Sequence, residues 1–456
     1  MLFSSLVFLF TFLPITLLVY YLVPRKVKNV VLLIASLIFY AWGEPVYIFL
    51  MLISILFNYF CGMDIALKAG RKSQVRSLIF TIVVNLFILG FFKYYGFIVT
   101  NLNAILPFYI PYRKLELPIG ISFYTFQTLS YIIDVYRGNV DVQVNLIDFG
   151  TYVTMFPQLI AGPIVQYADV ERQLRERKES LTKFGYGAWF FVMGLAKKVL
   201  LANTIGSIYE NIAAMDGMSV VTAWLGCLAY TFQIYFDFSG YSLMAIGLGR
   251  MLGFYFPQNF NYPYISKSIT EFWRRWHITL SSWFRDYVYI PLGGNRVKQS
   301  RHFFNIFVVW FLTGFWHGAA WNFIFWGLYF FVLLMIEKTF LLKHLEKSKV
   351  LSHIYLIFLI IISWGIFALS DLSQMGALFG RMFSLHAGND WMYYLRDYAI
   401  MFVLCVLAST PFFKKLADSS LGKNKVVRTV FLAGVFVVCV AFMVDSTYSP
   451  FLYFNF

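Results

Sequence analysis

"TGFWHGAAWNFIFWGLYFF", residues 313–331, is apolar and aromatic almost throughout, yet it carries His317 between Trp316 and Gly318. A protonatable ring is costly in such surroundings, so the stretch is either buried in a large core or placed inside a membrane. The rest of the chain decides between these. Of its 456 residues 60% are hydrophobic and only 13% are charged, and mean hydropathy is +0.69. A soluble domain cannot hide that much apolar surface. With 52 Phe, 31 Tyr and 12 Trp, the aromatic share suits lipid contact and the headgroup level. The chain therefore reads as an all-α, polytopic membrane protein.

The net charge of +15 would suggest nucleic acid in a soluble protein. Here the basic residues fall in short clusters between apolar runs, at 24–29, 68–76 and 414–428, as cytoplasmic loops do under the positive-inside rule. No basic soluble domain exists to bind nucleic acid. Cys61, Cys227, Cys405 and Cys439 lie far apart without a C-x-x-C pairing, so neither a metal site nor a disulfide framework is expected. The N-terminal run, residues 2–22, lacks a basic leader region and a small-residue cleavage site, and reads as a retained first span.

A span needs about 20 apolar residues. Thirteen runs qualify or nearly so: 2–22, 30–43, 46–66, 77–99, 118–136, 184–208, 219–236, 238–256, 303–318, 320–340, 352–371, 394–412 and 429–446. Some are too short or too polar, so ten to twelve crossings are expected, with helices that enter without crossing. No repeat is visible, and residues 1–456 read as one membrane domain. The mixed run 171–180 reads as a solvated surface helix. Gly, Pro, Asn, Gln, Arg and His concentrate among aromatics between about 118 and 322, which is where polar backbone lining a cavity is expected.

Four segments there can carry chemistry. In "SKSITEFWRRWHITLSSWFRDYVYIPLGGNR" (266–296), Ser268 and Glu271 form a capping box, predicting a helix from 269. Trp273, Trp276, His277, Leu280 and Phe284 then share a face, with Arg274, Arg275, Arg285 and Asp286 around the rest. This predicts an amphipathic helix at the membrane interface, with His277 either functional or incidental. In the opening stretch, His317 is an acid–base candidate beside Asn322, or a structural histidine bonded to a carbonyl; Gly314, Gly318, Ala319 and Ala320 would let a helix or ligand approach closely. Asp237, in "TFQIYFDFSGYSLMAIGLGR" (231–250), is either a proton relay or tied to an arginine. "MFPQLIAGPIVQ" (155–166) predicts a broken or re-entrant element in which Gln158 lines a cavity. His302, His344, His353 and His386 lie in loops or at span ends. No Walker loop, G-x-S-x-G elbow or H-E-x-x-H site appears.

At these residues the chain resembles a known family. "EFWRRWHITLSSWFRDYVYIPLGGNR" followed by "LTGFWHGAAWNFIFWG" is similar to the paired signature of the membrane-bound O-acyltransferases. The bacterial polysaccharide branch, typified by alginate O-acetyltransferase, is the nearest match. "PIGISFYTFQTLSYIIDVYRG", "FPQLIAGPIVQY", "QIYFDFSGYSLMAIGLGRMLGF" and the ending "YSPFLYFNF" match further blocks in the same order. The resemblance implies that His317 is the catalytic histidine deep in the membrane and His277 the second signature histidine of the same cavity. It implies a multi-pass protein of the bacterial plasma membrane, with acetyl-CoA as cytoplasmic donor, a surface polysaccharide as acceptor and an extracytoplasmic acetyltransferase as partner. One departure is Leu243, where the family block carries an acid.

The bottom-up chemistry agrees with that expectation. Attack of a hydroxyl on a thioester needs a base and an oxyanion donor. His317 can be the base, His277 can orient the donor or shuttle a proton, and Asn322 or a backbone N–H can face the oxyanion. Arg274, Arg275 and Arg285, with Trp273 and Trp276, would hold the donor's phosphates and body. A transporter or flippase is the alternative of another class, and it would show repeat symmetry and more intramembrane charges. A protein that only docks a secreted enzyme would tolerate loss of both histidines. Peptidoglycan O-acetylation and D-alanyl transfer to teichoic acid are the alternative reactions.

Overall fold

The computed structural model describes all residues except 114, 161, 216, 446–451 and 453–456. The described residues form helices and loops without a strand. Among the described residues seven helices are long and apolar enough to cross a membrane: Ile48–Leu67, Arg71–Ile105, Leu181–Ala213, Trp321–Leu345, Lys349–Ala368, Asp390–Ala408 and Lys425–Asp445. The other expected spans are helical too but fall short in length or carry more polar groups, as Ile121–Arg137 and Gln299–His317 do. The runs 219–236 and 238–256 are a single helix, Val220–Met251. Its 32 residues extend about 48 Å, more than the hydrocarbon core requires.

Two compact units make up the chain, residues 1–191 with 242–257, and residues 192–241 with 258–456. In the first, polar side chains join helices where lipid offers no partner. Asn58 and Asn85 exchange amide hydrogen bonds of 3.0 and 2.9 Å between two spans. Gly62 lies against the Tyr131 ring, which a Cβ would meet at 2.8 Å. The run 155–166 is broken as expected: Leu146–Thr154 ends at Met155, and the short helix Phe156–Leu159 follows. Phe156 N–H there donates to Ser36 Oγ at 3.0 Å.

The run 171–180 is helical as far as Glu176 and largely exposed, as expected, but Leu174 is buried. Arg177 is also buried, its guanidinium lying 4.3 Å over the Phe254 ring and its Nε donating to Tyr20 Oη at 2.9 Å. Glu179 accepts from Tyr20 at 2.6 Å and pairs with Lys28 at 3.3 Å. Aromatic rings and a carboxylate make the burial of these cations tolerable.

Candidate active site

The second unit brings the two signature histidines together. Ser268 caps the expected helix, its Oγ accepting from Glu271 N–H at 3.0 Å. Sequence reasoning missed a second cap. The buried carboxylate of Glu337 accepts from Ile269 N–H at 2.6 Å, Thr270 N–H at 2.9 Å and Thr270 Oγ1–H at 2.7 Å. A carboxylate suits a helix N-terminus, where backbone donors lack intrahelical partners.

The helix nevertheless ends after five residues, at Trp273. The chain turns through residues 274–277, and a new helix runs Ile278–Phe284. At the break His277 adopts φ 43° and ψ 54°, a left-handed conformation that costs a residue with a Cβ about 1–2 kcal/mol. The single amphipathic face predicted for Trp273, Trp276, His277, Leu280 and Phe284 is therefore replaced by two short helices. All five residues are buried, so this is not an interfacial anchor. The break is held from outside the segment: Ile278 N–H donates to Asn259 O at 3.0 Å and Asn261 N–H to Arg275 O at 2.9 Å.

His317 ends the helix Gln299–His317. The next helix, Trp321–Ile336, packs backbone to backbone against it. A Cβ on Gly327 would meet Trp310 O at 2.5 Å and Gly314 Cα at 3.2 Å, and one on Gly314 would strike Phe323 O. Small residues thus do here what the sequence suggested, with Gly327 as the partner it did not single out. The His317 ring lies edge-on to Trp326 at 4.9 Å and Phe367 at 5.3 Å between centroids.

His277 and His317 line one cavity, together with Asp237, Trp276 and Trp326. Trp364, Phe367 and Leu452 also line it, all beyond the 118–322 interval in which the site was expected. The ending "YSPFLYFNF" lies outside the described residues apart from Leu452, whose N–H donates to Asp237 Oδ2 at 3.0 Å. Asp237 pairs with Lys198 at 2.6 Å, both side chains almost fully buried, so its cation is a lysine and not the arginine anticipated. Gly240 makes this approach possible, since a Cβ there would meet Gly194 O at 2.8 Å and Lys198 N at 3.0 Å.

Other expected site residues lie elsewhere. Asn322 is buried but donates to Ile366 O at 3.3 Å and Phe367 O at 3.1 Å. Its N–H groups thus serve carbonyls near the end of the Lys349–Ala368 helix and do not face an oxyanion. Trp326 offers a different donor, for its buried Nε1–H has no hydrogen-bond partner among the described residues. Gln158 belongs to the first unit, where its amide donates to Tyr152 O. Arg274, Arg275, Arg285 and Trp273 are not among the cavity-lining residues. Arg275 pairs with Glu271 at 2.9 Å, Arg285 with Asp286 at 2.7 Å, and Arg274 is exposed. Trp273 packs on Trp310 and Phe330 at 4.7 and 4.9 Å. Leu243, like His302, His344, His353 and His386, is not among the lining residues either.

Known proteins resemble this chain over most of its length. The profile of the membrane-bound O-acyltransferase family matches residues 34–370. A protein of Pseudomonas putida named "Probable alginate O-acetylase AlgI" is 40% identical, over 100% of both chains. One of the same name from Azotobacter vinelandii is 45% identical over 86% of this chain and 79% of its own length. A "Peptidoglycan O-acetyltransferase" of Helicobacter pylori is 32% identical over 100% of this chain and 98% of its own. An all-helical membrane chain matched over most of its length in this way belongs to the membrane-bound O-acyltransferase family and is an acyltransferase.

Proposed function

We propose that this chain takes acetyl from acetyl-CoA on the cytoplasmic side of the bacterial plasma membrane for transfer to hydroxyls of a cell-surface polysaccharide, by way of an extracytoplasmic acetyltransferase partner. The observation that carries the reading is the pairing of His277 and His317 on one buried cavity in a relative of proteins named for O-acetylation.

In the transfer step the acceptor hydroxyl oxygen attacks the thioester carbonyl carbon, forming a C–O bond as the C–S bond breaks. His317 takes the hydroxyl proton and returns it to the departing thiolate, so that ester and thiol are the products. Charge on the carbonyl oxygen is met by Trp326 Nε1–H, a buried donor without a hydrogen-bond partner among the described residues. The Lys198–Asp237 pair fixes the carboxylate at the cavity wall. Exposed Arg274, on the turn before His277, is the cation offered to the donor's phosphates. At Arg275 and Arg285 a phosphate must displace a carboxylate already bound.

The test is transfer of labelled acetyl from acetyl-CoA in membranes holding wild type or His317→Ala at matched protein levels, with label followed separately into partner protein and glycan. The wild type is expected to transfer, and the variant to fall by about 10²- to 10⁴-fold, the range for a lost general base. Full transfer by the variant would make His317 structural and overturn the assignment. Label reaching glycan with no partner protein present would remove the hand-off.

A further inference from the structure

We infer that Asn259 is a positioning residue that fixes the tautomer of His277, so that its ring turns an unprotonated Nε2 to the acyl-transfer cavity; this rests on the acyltransfer reading above. Asn259 is buried, and its Oδ1 lies 3.2 Å from His277 Nδ1. The same oxygen accepts from Thr279 N–H at 3.2 Å and from Thr279 Oγ1–H at 2.9 Å. A backbone N–H can only donate, so the amide atom on this side is the oxygen. His277 Nδ1 must then be the protonated nitrogen, and in a neutral imidazole Nε2 carries the lone pair.

Three further observations fit a residue kept for its oxygen. Asn259 Nδ2 is buried without a hydrogen-bond partner, a penalty that a packing residue would not carry. The main chain of Asn259 receives Ile278 N–H at 3.0 Å, so one residue holds both the His277 ring and the main chain just after it. A strained backbone held from a neighbouring segment is a recurrent sign of an aimed side chain. Around the ring stand Phe238, at 4.7 Å between centroids, and Trp316, at 6.2 Å. Among the described residues the other ionisable groups lining the cavity are His317 and Asp237, the latter paired with Lys198. A neutral amide in this position orients the imidazole without favouring its charged form, as a carboxylate would.

The experiment measures acetyl transfer against pH in membranes for wild type, Asn259→Ala, Asn259→Asp, Thr279→Val, His277→Ala and the double variant Asn259→Ala/His277→Ala, all at matched folded protein. Asn259→Ala is expected to lower kcat by about 10- to 100-fold, with the donor KM held, as loss of an orienting hydrogen bond does. The double variant should be no slower than His277→Ala, because the amide acts through the ring. Asn259→Asp keeps the acceptor and should recover most of kcat. Its acid limb should move to higher pH, since the carboxylate raises the imidazole pKa and the neutral His277 ring is lost sooner on acidification. Thr279→Val removes one donor to Oδ1 and should leave the wild-type profile in place. Additive losses in the double variant, or an Asn259→Asp profile coinciding with wild type, would reduce Asn259 to a packing residue. A wild type that transfers nothing would instead sink the acyltransfer reading, and this inference with it.

Discussion

The two histidines of the cavity both stand where a helix ends, but the breaks are built in opposite ways. His277 lies in a left-handed turn held by polar atoms from other segments, with Asn259 on one side and Glu337 capping the helix before it. His317 is in ordinary helical backbone and gains its place from close packing: Gly314 against Gly327, and a ring boxed by Trp326 and Phe367. The first arrangement concentrates its energy in a few hydrogen bonds that a single substitution can remove. The second spreads it over many weak contacts, which tolerate loss of a group but not added volume. The histidine assigned the proton transfer is thus on the stiffer of the two supports.

Added volume at the glycine seam is where the comparison should break most visibly. Gly327→Val places atoms into the backbone of Trp310, and no side-chain rotation relieves a clash with main chain. The expected cost is about 3 kcal/mol or more, the upper end of overpacking. It should appear as loss of monodisperse protein in detergent and of all transfer. Thermal unfolding of Gly327→Val matching wild type would show that the two helices can part without harm. Trp326→Phe probes the same wall from the opposite direction. It removes the Nε1–H together with part of a fully buried ring, so some loss of stability is expected, and at matched folded protein kcat should fall by about 10²-fold, the loss typical of one oxyanion donor; unchanged kcat would withdraw that role.

On the His277 side, Glu337→Ala leaves three donors at the start of Ile269–Trp273 without their acceptor. A destabilisation of about 2–3 kcal/mol is expected from hydrogen bonds to a charged group, with Glu337→Gln costing less because one oxygen remains. Equal melting of Glu337→Ala and wild type would mean that the cap is replaced by water and that the segment is held by Asn259.

The asymmetry also explains what the sequence disclosed. The apolar runs, the Ser268 cap and the small residues flanking His317 are local patterns, and each was legible. Residues 219–256 read as two spans because Asp237, Ser239 and Gly240 look like a loop. They belong to one helix because Lys198, 39 positions earlier, pairs with Asp237, and Gly240 admits the neighbouring backbone. The break at His277 was illegible for a related reason: its helical period is intact through residue 284, and what interrupts it comes from Asn259 and Glu337. Trp364 and Phe367 resemble any lipid-facing aromatics until the Lys349–Ala368 helix is folded. Asn322 looked like an oxyanion donor because no local pattern shows that Ile366 and Phe367 have carbonyls to satisfy.

The smallest effect should be the most specific. If His277 is held in a left-handed turn by its neighbours and not by its own preference, glycine there should relieve strain that alanine keeps. Both substitutions remove the imidazole, and both should lower transfer equally. In thermal unfolding His277→Gly should nevertheless be more stable than His277→Ala by about 1 kcal/mol, the Cβ penalty of a left-handed residue. Elsewhere in a helix the order is reversed, because glycine costs about 0.5–1 kcal/mol relative to alanine. A matched pair at Phe315, within the helix leading to His317, should show that reversed order. Glycine less stable than alanine at both positions would mean that the turn at 277 relaxes to a right-handed form when the ring is gone, so that the imidazole and its bond to Asn259 hold the backbone.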